Sequence, residues 1–290
     1  MLDFIVNPTA GGKHGKKTAK TVEKLTAILQ EKGVDFAFHC TSEKGQGTTI
    51  TKELIENGAT DIIVVGGDGT LHEVINGFSN FENVNMGLIP CGTGNDFADA
   101  LSISLDPEKA LDLILNGTPK YVDFMQMPTV RGMNVIGMGI DVQVLKCYQS
   151  LKKKTKFGYT KCLLKTLFKF KALTFDGTYN GETKQYHSYI AAIANGHCFG
   201  GGIPLCPIAD ATDGKLHYIA VKQMSKLRLI YAFIKLKQGK VLKLKQTFHD
   251  TLSEIKIDKT KPYTVNVDGE LYENIPFEVK VVSNTLKFYR

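Results

Sequence analysis

No stretch of this 290-residue chain approaches the ~20 consecutive apolar residues that cross a bilayer, which excludes a helical membrane protein. No signal peptide is read at the start either, because Leu2–Val6 has the pattern of a buried strand, and a cytoplasmic protein is expected. Hydrophobic residues make up 43% and charged residues 22%, which excludes disorder. Paired-cysteine spacing is missing as well. Cys40, Cys91, Cys147, Cys162, Cys198 and Cys206 stand without any CxxC, so neither a disulfide framework nor a zinc site is expected. All six are read as free thiols, most of them buried. Acidic residues vanish from two stretches. Lys146–Lys171 carries Lys152, Lys153, Lys154, Lys156, Lys161, Lys165 and Lys169, and Lys222–Lys245 carries Lys226, Arg228, Lys235, Lys237, Lys240 and Lys243. Such runs favour an anionic partner (nucleic acid, anionic lipid or a polyanionic substrate), and serve equally well as solvated faces.

Internal repeats and low-complexity linkers are also lacking, yet the periodicity changes near Val122–Phe124. At this length two domains are expected, residues 1–123 and 124–290, with the last strand able to return to the first. The first alternates apolar strands with amphipathic helices, the pattern of a parallel α/β sheet. Strands are read at Leu2–Val6, Val34–Cys40, Asp61–Val65 and Met86–Pro90. Helices are read between them, with Thr41 or Ser42 as the cap of the second, Thr70–Phe78 as the third and another opening near Asp96. The second half offers short strands at Tyr186–Ala194, Leu216–Val221, Ile255–Ile257, Tyr263–Val267, Phe277–Val282 and Leu286–Tyr289. They suggest an antiparallel sandwich or barrel interrupted by two basic helical stretches. A helix over residues 158–173 sets Lys161, Lys165 and Lys169 opposite Leu163, Leu167 and Phe170.

Three strand ends of the first half carry turns of glycine and small residues: Asn7-Pro8-Thr9-Ala10-Gly11-Gly12, Gly66-Gly67-Asp68-Gly69-Thr70 and Cys91-Gly92-Thr93-Gly94-Asn95-Asp96. Ligands of open α/β sheets bind outside the carboxyl ends of the strands. Glycine lets backbone amides approach an anion, and a following helix adds its dipole, so three converging turns make a polyphosphate site. A single such turn is often only a tight connection. Neither a Walker A loop nor a Rossmann fingerprint fits, because Ala10 to Lys17 lacks the first glycine and final hydroxyl, and the series from Gly92 fails at Phe97. Asp68 among glycines reads as an acid near a phosphate-bound metal. Thr70 reads equally as a phosphate ligand or a helix cap.

The order of motifs resembles the catalytic domain shared by diacylglycerol, sphingosine and ceramide kinases, especially the soluble bacterial diacylglycerol kinases. The matching pieces are Asn7-Pro8-x-x-Gly11, the Gly66–Thr70 loop, Gly92-Thr93-x-Asn95-Asp96-Phe97-Ala98, Gly137-x-Gly139-x-Asp141, Asn195-Gly196 with Gly200-Gly201-Gly202, Asp210-x-x-Asp213-Gly214, and Val267-Asp268-Gly269-Glu270. They run through nearly the whole chain in the family's order.

The resemblance implies an α/β nucleotide-binding domain with a GGDGT loop, a C-terminal β-sandwich-like domain, and an active site in the cleft between them. It implies ATP held by Asn7, Pro8, Thr9, Ala10, Gly11, Thr41, Gly67, Asp68, Gly69, Thr70, Leu71, His72 and Thr93. His72 stands where many members carry asparagine. Glu270 matches the family's general base; on spacing alone it is an exposed hairpin acid. Asp210 and Asp213, with the Lys215 carbonyl, match a structural Mg²⁺ site, although Asp213-Gly214 before a strand also reads as a plain turn.

The reaction implied is transfer of the ATP γ-phosphoryl group to a lipid hydroxyl, most readily that of diacylglycerol. Mg²⁺ near Asp68 and Asp96 would offset charge, and Asp68 and Glu270 would act as the catalytic carboxylates. Partners are then ATP, a lipid and, through Lys152–Lys171 with Phe157, Leu163, Leu164, Leu167 and Phe168, the surface of an anionic membrane. A homodimer through an edge strand is possible. Nucleic acid is not expected, because the basic runs lack interleaved aromatics. Rival readings are another lipid as substrate, an NAD-kinase-like enzyme, and a binding protein without catalysis.

Overall fold

The computed structural model describes residues 1–11, 16–151, 156–167, 169–258 and 263–290. The chain forms two compact units, Met1–Asp123 with Ser283–Arg290, and Phe124–Val282.

The first unit runs β1 (Leu2–Val6), α1 (Lys16–Glu31), β2 (Phe36–Cys40), α2 (Gln46–Glu56), β3 (Asp61–Gly66), α3 (Asp68–Gly77), β4 (Asn85–Pro90), α4 (Asp96–Ala100) and α5 (Pro107–Asn116). β5 (Lys120–Gln126) starts here and ends in the second unit. The strands are parallel in the order β2-β1-β3-β4. Near-continuous apolar runs explain this, since both faces of β3 (Asp-Ile-Ile-Val-Val-Gly) are covered by helices and all residues from Ile62 on are buried. The C-terminal segment adds a parallel strand beside β4, Lys287 against Asn85 and Phe288 against Met86. Tyr289 and Asn85 both donate to Asp61 Oδ1, at 2.6 and 2.8 Å, and pin that return.

Neither Thr41 nor Ser42 caps α2. The helix starts at Gln46 after Gly45 without a side-chain cap. Glu73 of α3 takes that role from a distance, its carboxylate accepting the amides of Gly45 and Gly47 at 2.8 and 3.0 Å. α3 begins at Asp68, two residues before the expected start, because the loop after β3 turns directly into the helix. The Asp106–Pro107 cap of α5 escaped the periodicity reading, although Asp106 accepts the Glu108 amide and proline stands in the first turn.

The second unit continues with β6 (Arg131–Gly132), β7 (Val135–Gly139), α6 (Ile140–Gln149), α7 (Lys156–Leu167), β8 (Leu173–Tyr179), β9 (Glu182–Ala194), β10 (Cys198–Phe199), β11 (Ile203–Pro204), β12 (Leu216–Lys222) and α8 (Lys226–Lys237). A 3-10 turn at Val241–Lys243, β13 (Thr247–Leu252), β14 (Glu254–Asp258), β15 (Thr264–Val267), β16 (Glu270–Glu273) and the first part of β17 (Phe277–Phe288), which ends in the first unit, complete it. The ladders of β9 are all antiparallel, and this strand organises the sheet. Its C-terminal half carries β7 and β12, and its N-terminal half carries β8.

Alternation along these strands builds two cores. Ala191, Ile193, Leu216 and Tyr218 face one, with Ile255, Val265 and Phe277. Ile190, Ala192, Ala194 and Ile219 face the other, with Leu163, Leu167 and Leu229 from α7 and α8. Phe277–Val282 and Leu286–Tyr289, read as two strands, are largely one continuous strand, β17. The helix read over 158–173 ends at Leu167, and a strand begins at Leu173.

One cysteine assignment is corrected. Cys147 of α6 and Cys162 of α7 are joined by a disulfide, their Cα atoms 5.7 Å apart. The two helices lie side by side and bring the thiols into bonding range, which a spacing of 15 residues does not reveal. Of the free thiols, Cys40 is exposed and Cys91, Cys198 and Cys206 are buried.

Candidate active site

In the first unit the parallel register sets three strand ends side by side: Val6 pairs with Val65 and with Cys40, and Gly66 pairs with Pro90. The turns that follow touch backbone to backbone. A Cβ on Gly67 would lie 2.7 Å from the Gly92 Cα, one on Gly92 2.5 Å from the Gly67 Cα, and one on Gly11 2.5 Å from the Cys91 carbonyl oxygen. No side chain fits at these contacts, so the glycines are steric requirements. Gly11 also has φ +78°, in the left-handed region.

Side chains lock the turns together. Asn7 Nδ2 donates to Thr70 Oγ1 at 3.1 Å, while the Thr9 amide and hydroxyl both donate to Asn7 Oδ1. Thr41 sits beside this turn, its amide donating to the Val6 carbonyl at 2.8 Å. Thr70 Oγ1 receives the Asn7 amide, which leaves its hydroxyl hydrogen to donate, and the helix cap is Gly67, without a side-chain bond. Asp68 Oδ1 accepts the Phe97 amide at 3.2 Å, tying the second turn to the start of α4.

Pro8, Thr9, Gly69 and Thr93 are exposed at the same sheet edge, and Ala10 and Gly67 are partly so. Leu71 and His72, in contrast, are buried in α3, at 1% and 3% exposure. Gly12 lies outside the described residues. The edge thus presents exposed backbone at the N-terminus of α3, the arrangement that receives an anion.

In the second unit the turn Asp268-Gly269 joins β15 to β16, both residues having positive φ (51° and 95°), as an Asp-Gly hairpin requires. Asp268 accepts three backbone amides, from Met133 at 2.6 Å, Asn134 at 2.9 Å and Val135 at 3.0 Å. Asn266 bridges inward: its Oδ1 accepts the Gly269 amide at 2.9 Å and its Nδ2 donates to Asp141 Oδ2 at 3.2 Å. Glu270 opens β16, half-buried, on a turn held from both sides. It is the first residue of a strand, not a member of the turn.

Asp141 is the residue that sequence reasoning quoted but gave no role. It is 4% exposed at the start of α6, and burial pushes its carboxyl up to about 6, against the pull of the Asn266 amide. A Cβ on Gly137 would stand 2.5 Å from its Oδ2, so that glycine makes room for it. Asp141 lines an apolar cavity of about 80 Å³ with Leu163, Leu167, Ile190, Phe233 and Leu236. An acid inside the run Val135–Leu145, behind two glycines, is the signal that marks it.

Asp210 and Asp213 occupy an exposed turn before β12. Thr212 Oγ1 donates to Asp210 Oδ1 at 2.7 Å, and the Lys215 amide donates to Asp213 Oδ1 at 2.9 Å. Asp210, Asp213 and the Lys215 carbonyl, close together in the chain, offer oxygen donors of the kind a hard cation such as Mg²⁺ takes.

Of the stretch read as a membrane surface, residues 152–155 and 168 lie outside the described residues. Leu163 and Leu167 turn inward to the cavity, which corrects their assignment to that surface. α8 supplies an outward apolar stripe instead, Leu227, Ile230, Tyr231 and Ile234, with Leu227 81% exposed. No helix among the described residues is long and apolar enough to cross a membrane.

Comparison with known proteins agrees with this division. Residues 2–127 match the model of the diacylglycerol kinase catalytic domain, and residues 134–290 that of the YegS C-terminal NAD kinase beta sandwich-like domain. A probable YegS-like lipid kinase of Alcanivorax borkumensis is 30% identical over 95% of this chain and 94% of its own. A diacylglycerol kinase of Bacillus subtilis is 28% identical over 95% and 91%. The crystal structure of a candidate diacylglycerol kinase from Bacillus anthracis superposes with a TM-score of 0.78 at 26% identity, over 99% of this chain and 96% of that one.

Proposed function

This chain belongs to the lipid kinase family that carries the diacylglycerol kinase catalytic domain, and we propose that it phosphorylates diacylglycerol to phosphatidic acid with ATP. The observation that supports this most is the backbone contact of the Gly67 and Gly92 turns beside the Gly11 turn, a cradle of amides at one sheet edge. Phosphoryl transfer asks mainly for positioning and charge neutralisation, which such a cradle supplies to a triphosphate. Asn7, Thr9, Gly67, Gly69 and Thr93 hold ATP there, with Thr41 beside them. The Leu71 and His72 side chains support the cradle from within the core. Asp68 holds the helix α4 side of the cradle and, with Asp96, is the oxygen donor for the magnesium that accompanies ATP. That ion supplies neutralisation of phosphate charge.

Glu270 takes the proton of the attacking hydroxyl, from a position just after the turn that the Asp268 and Asn266 contacts anchor. The apolar cavity around Asp141 suits the junction of a lipid, where a hydroxyl meets the first methylenes. About 80 Å³ does not hold two acyl chains, so the tails stay in the membrane. α8 docks there, its apolar stripe entering the interface while Arg228 and Lys237 meet anionic headgroups, each cation adding on the order of 1 kcal/mol. Asp210, Asp213 and the Lys215 carbonyl hold a structural Mg²⁺.

A kinase assay over diacylglycerol, sphingoid base, ceramide and phosphatidylglycerol tests the reading. Diacylglycerol is expected to be the preferred substrate, and Glu270→Gln to lower turnover by ~100-fold or more while ATP affinity is kept. Undiminished turnover in that variant removes Glu270 from the mechanism, and preference for a sphingoid base or ceramide changes the substrate.

A further inference from the structure

Three side chains far apart in sequence meet in the second unit. Cys206, His217 and His249 each bring one ligating atom to within 4.8 Å of the other two. His217 of β12 and His249 of β13 lie on diagonal positions of an antiparallel ladder, in which His217 pairs with Thr251 and Ile219 with His249. Cys206 sits in the turn just after β11, its amide donating to the His197 carbonyl at 3.0 Å. We propose that Cys206, His217 and His249 form a binding site for zinc(II).

The geometry suits the ion. His217 Nδ1 and His249 Nε2 are 3.0 Å apart, with ring centroids at 5.2 Å and planes within 14°. Those figures describe two imidazoles edge to edge in one plane, sharing a hydrogen between nitrogens, not two stacked faces. A tetrahedral zinc with Zn–N bonds of about 2.0–2.1 Å separates two nitrogen ligands by roughly 3.3 Å. Only the rings need re-aiming, and the strands stay in place. His217 is buried, at 6% exposure.

Cys206 is fully buried. The Ile208 and Ala209 amides hydrogen-bond to its sulfur, and His217 and His249 offer imidazole nitrogens beside it. On binding, the thiol proton leaves to solvent, the thiolate and two neutral imidazoles take the ion, and a water completes four ligands.

Thiolate and imidazole select a borderline-soft cation over Mg²⁺. The segment clamped at its two ends, Cys206 and His217, is the one that carries Asp210, Asp213 and Lys215. A softer ion would thereby fix the loop that offers oxygen ligands to a hard one.

The test uses the full-length protein, stripped with chelator and refilled with zinc(II), or with cobalt(II) as a spectroscopic probe, in excess magnesium. Wild type is expected to retain one zinc per chain, to gain thermal stability with zinc, and to show a thiolate-to-cobalt charge-transfer band. Cys206→Ser should lose that band, and the partly exposed His249→Gln should weaken zinc by more than ~100-fold, since even outer-shell changes cost 10–100-fold. If wild type holds no zinc, or both variants bind zinc and cobalt as wild type does, there is no such site. The wild-type cobalt spectrum decides the matter even if a variant fails to fold.

Discussion

The two units build their chemistry from different materials. In the first, the candidate site is backbone: three turns at the ends of neighbouring parallel strands, close enough that Gly67 and Gly92 leave no space for a methyl group. In the second, it is side chain: Asn266 bonds Asp141 and the Gly269 amide, Asp268 gathers backbone amides from Met133 on, at 2.6–3.2 Å, and Glu270 follows that anchored turn. A backbone site tolerates changes of exposed side chains and no growth at its glycines. A side-chain network fails by the loss of single acceptors.

The sharpest way to break that contrast is a single methyl group. Gly92→Ala is expected to cost about 3 kcal/mol, because the nearest neighbour, the Gly67 Cα at 2.5 Å, is main chain and cannot rotate away, and the Asn95 Oδ1 at 2.7 Å must also yield, and to abolish ATP binding. Denaturant midpoints and calorimetry check this. Thr93→Ala, on the exposed neighbour, should leave stability within about 0.5 kcal/mol.

In the second unit Asp268→Ala strips the acceptor from three amides at once and is expected to cost about 2–3 kcal/mol. Turnover should fall with it, because the turn before Glu270 loses its anchor; a thermal melt run beside a kinase assay reads both.

Asp141 yields a smaller, pH-dependent effect. Its folded-state carboxyl is raised from 3.8 to about 6 by burial, so between those values the folded chain binds more protons than the unfolded one. Stability should therefore decline as pH rises through that window and level off above it. Asp141→Asn should flatten the decline, by on the order of 3 kcal/mol at neutral pH, and raise the KM for lipid. A slope unchanged in the variant would place the titration elsewhere. Smallest in free energy of folding is Leu227→Glu with Ile234→Glu on α8. It should leave the melting temperature in place while lowering sedimentation with anionic vesicles about tenfold or more.

The same contrast explains what the sequence disclosed. The first unit's turns were legible because close main-chain contacts admit only glycine, and Gly11, Gly67 and Gly92 stand at such contacts. Its strands were legible because burial on both faces leaves continuous apolar runs. The second unit hides its chemistry. Asp141 and Asn266 are 125 residues apart, and no local pattern ties an acid in an apolar run to an amide in a distant strand. Cys147 and Cys162 meet only because α6 and α7 pack together, and Cys206 reaches His217 and His249 only through a turn and a ladder register. Glu270 was singled out through family resemblance alone; its own neighbours describe an ordinary Asp-Gly hairpin. The apolar stripe of α8 was missed because lysine count drew attention to the other basic stretch.

The most direct test is a calorimetric titration of magnesium-ATP into wild type, Glu270→Gln and Gly92→Ala. Equal occupancy in the first two, with none in the third, is the predicted result. Wild-type protein that takes up no nucleotide, or Gly92→Ala that stays folded and binds as wild type does, contradicts a triphosphate held by main-chain amides.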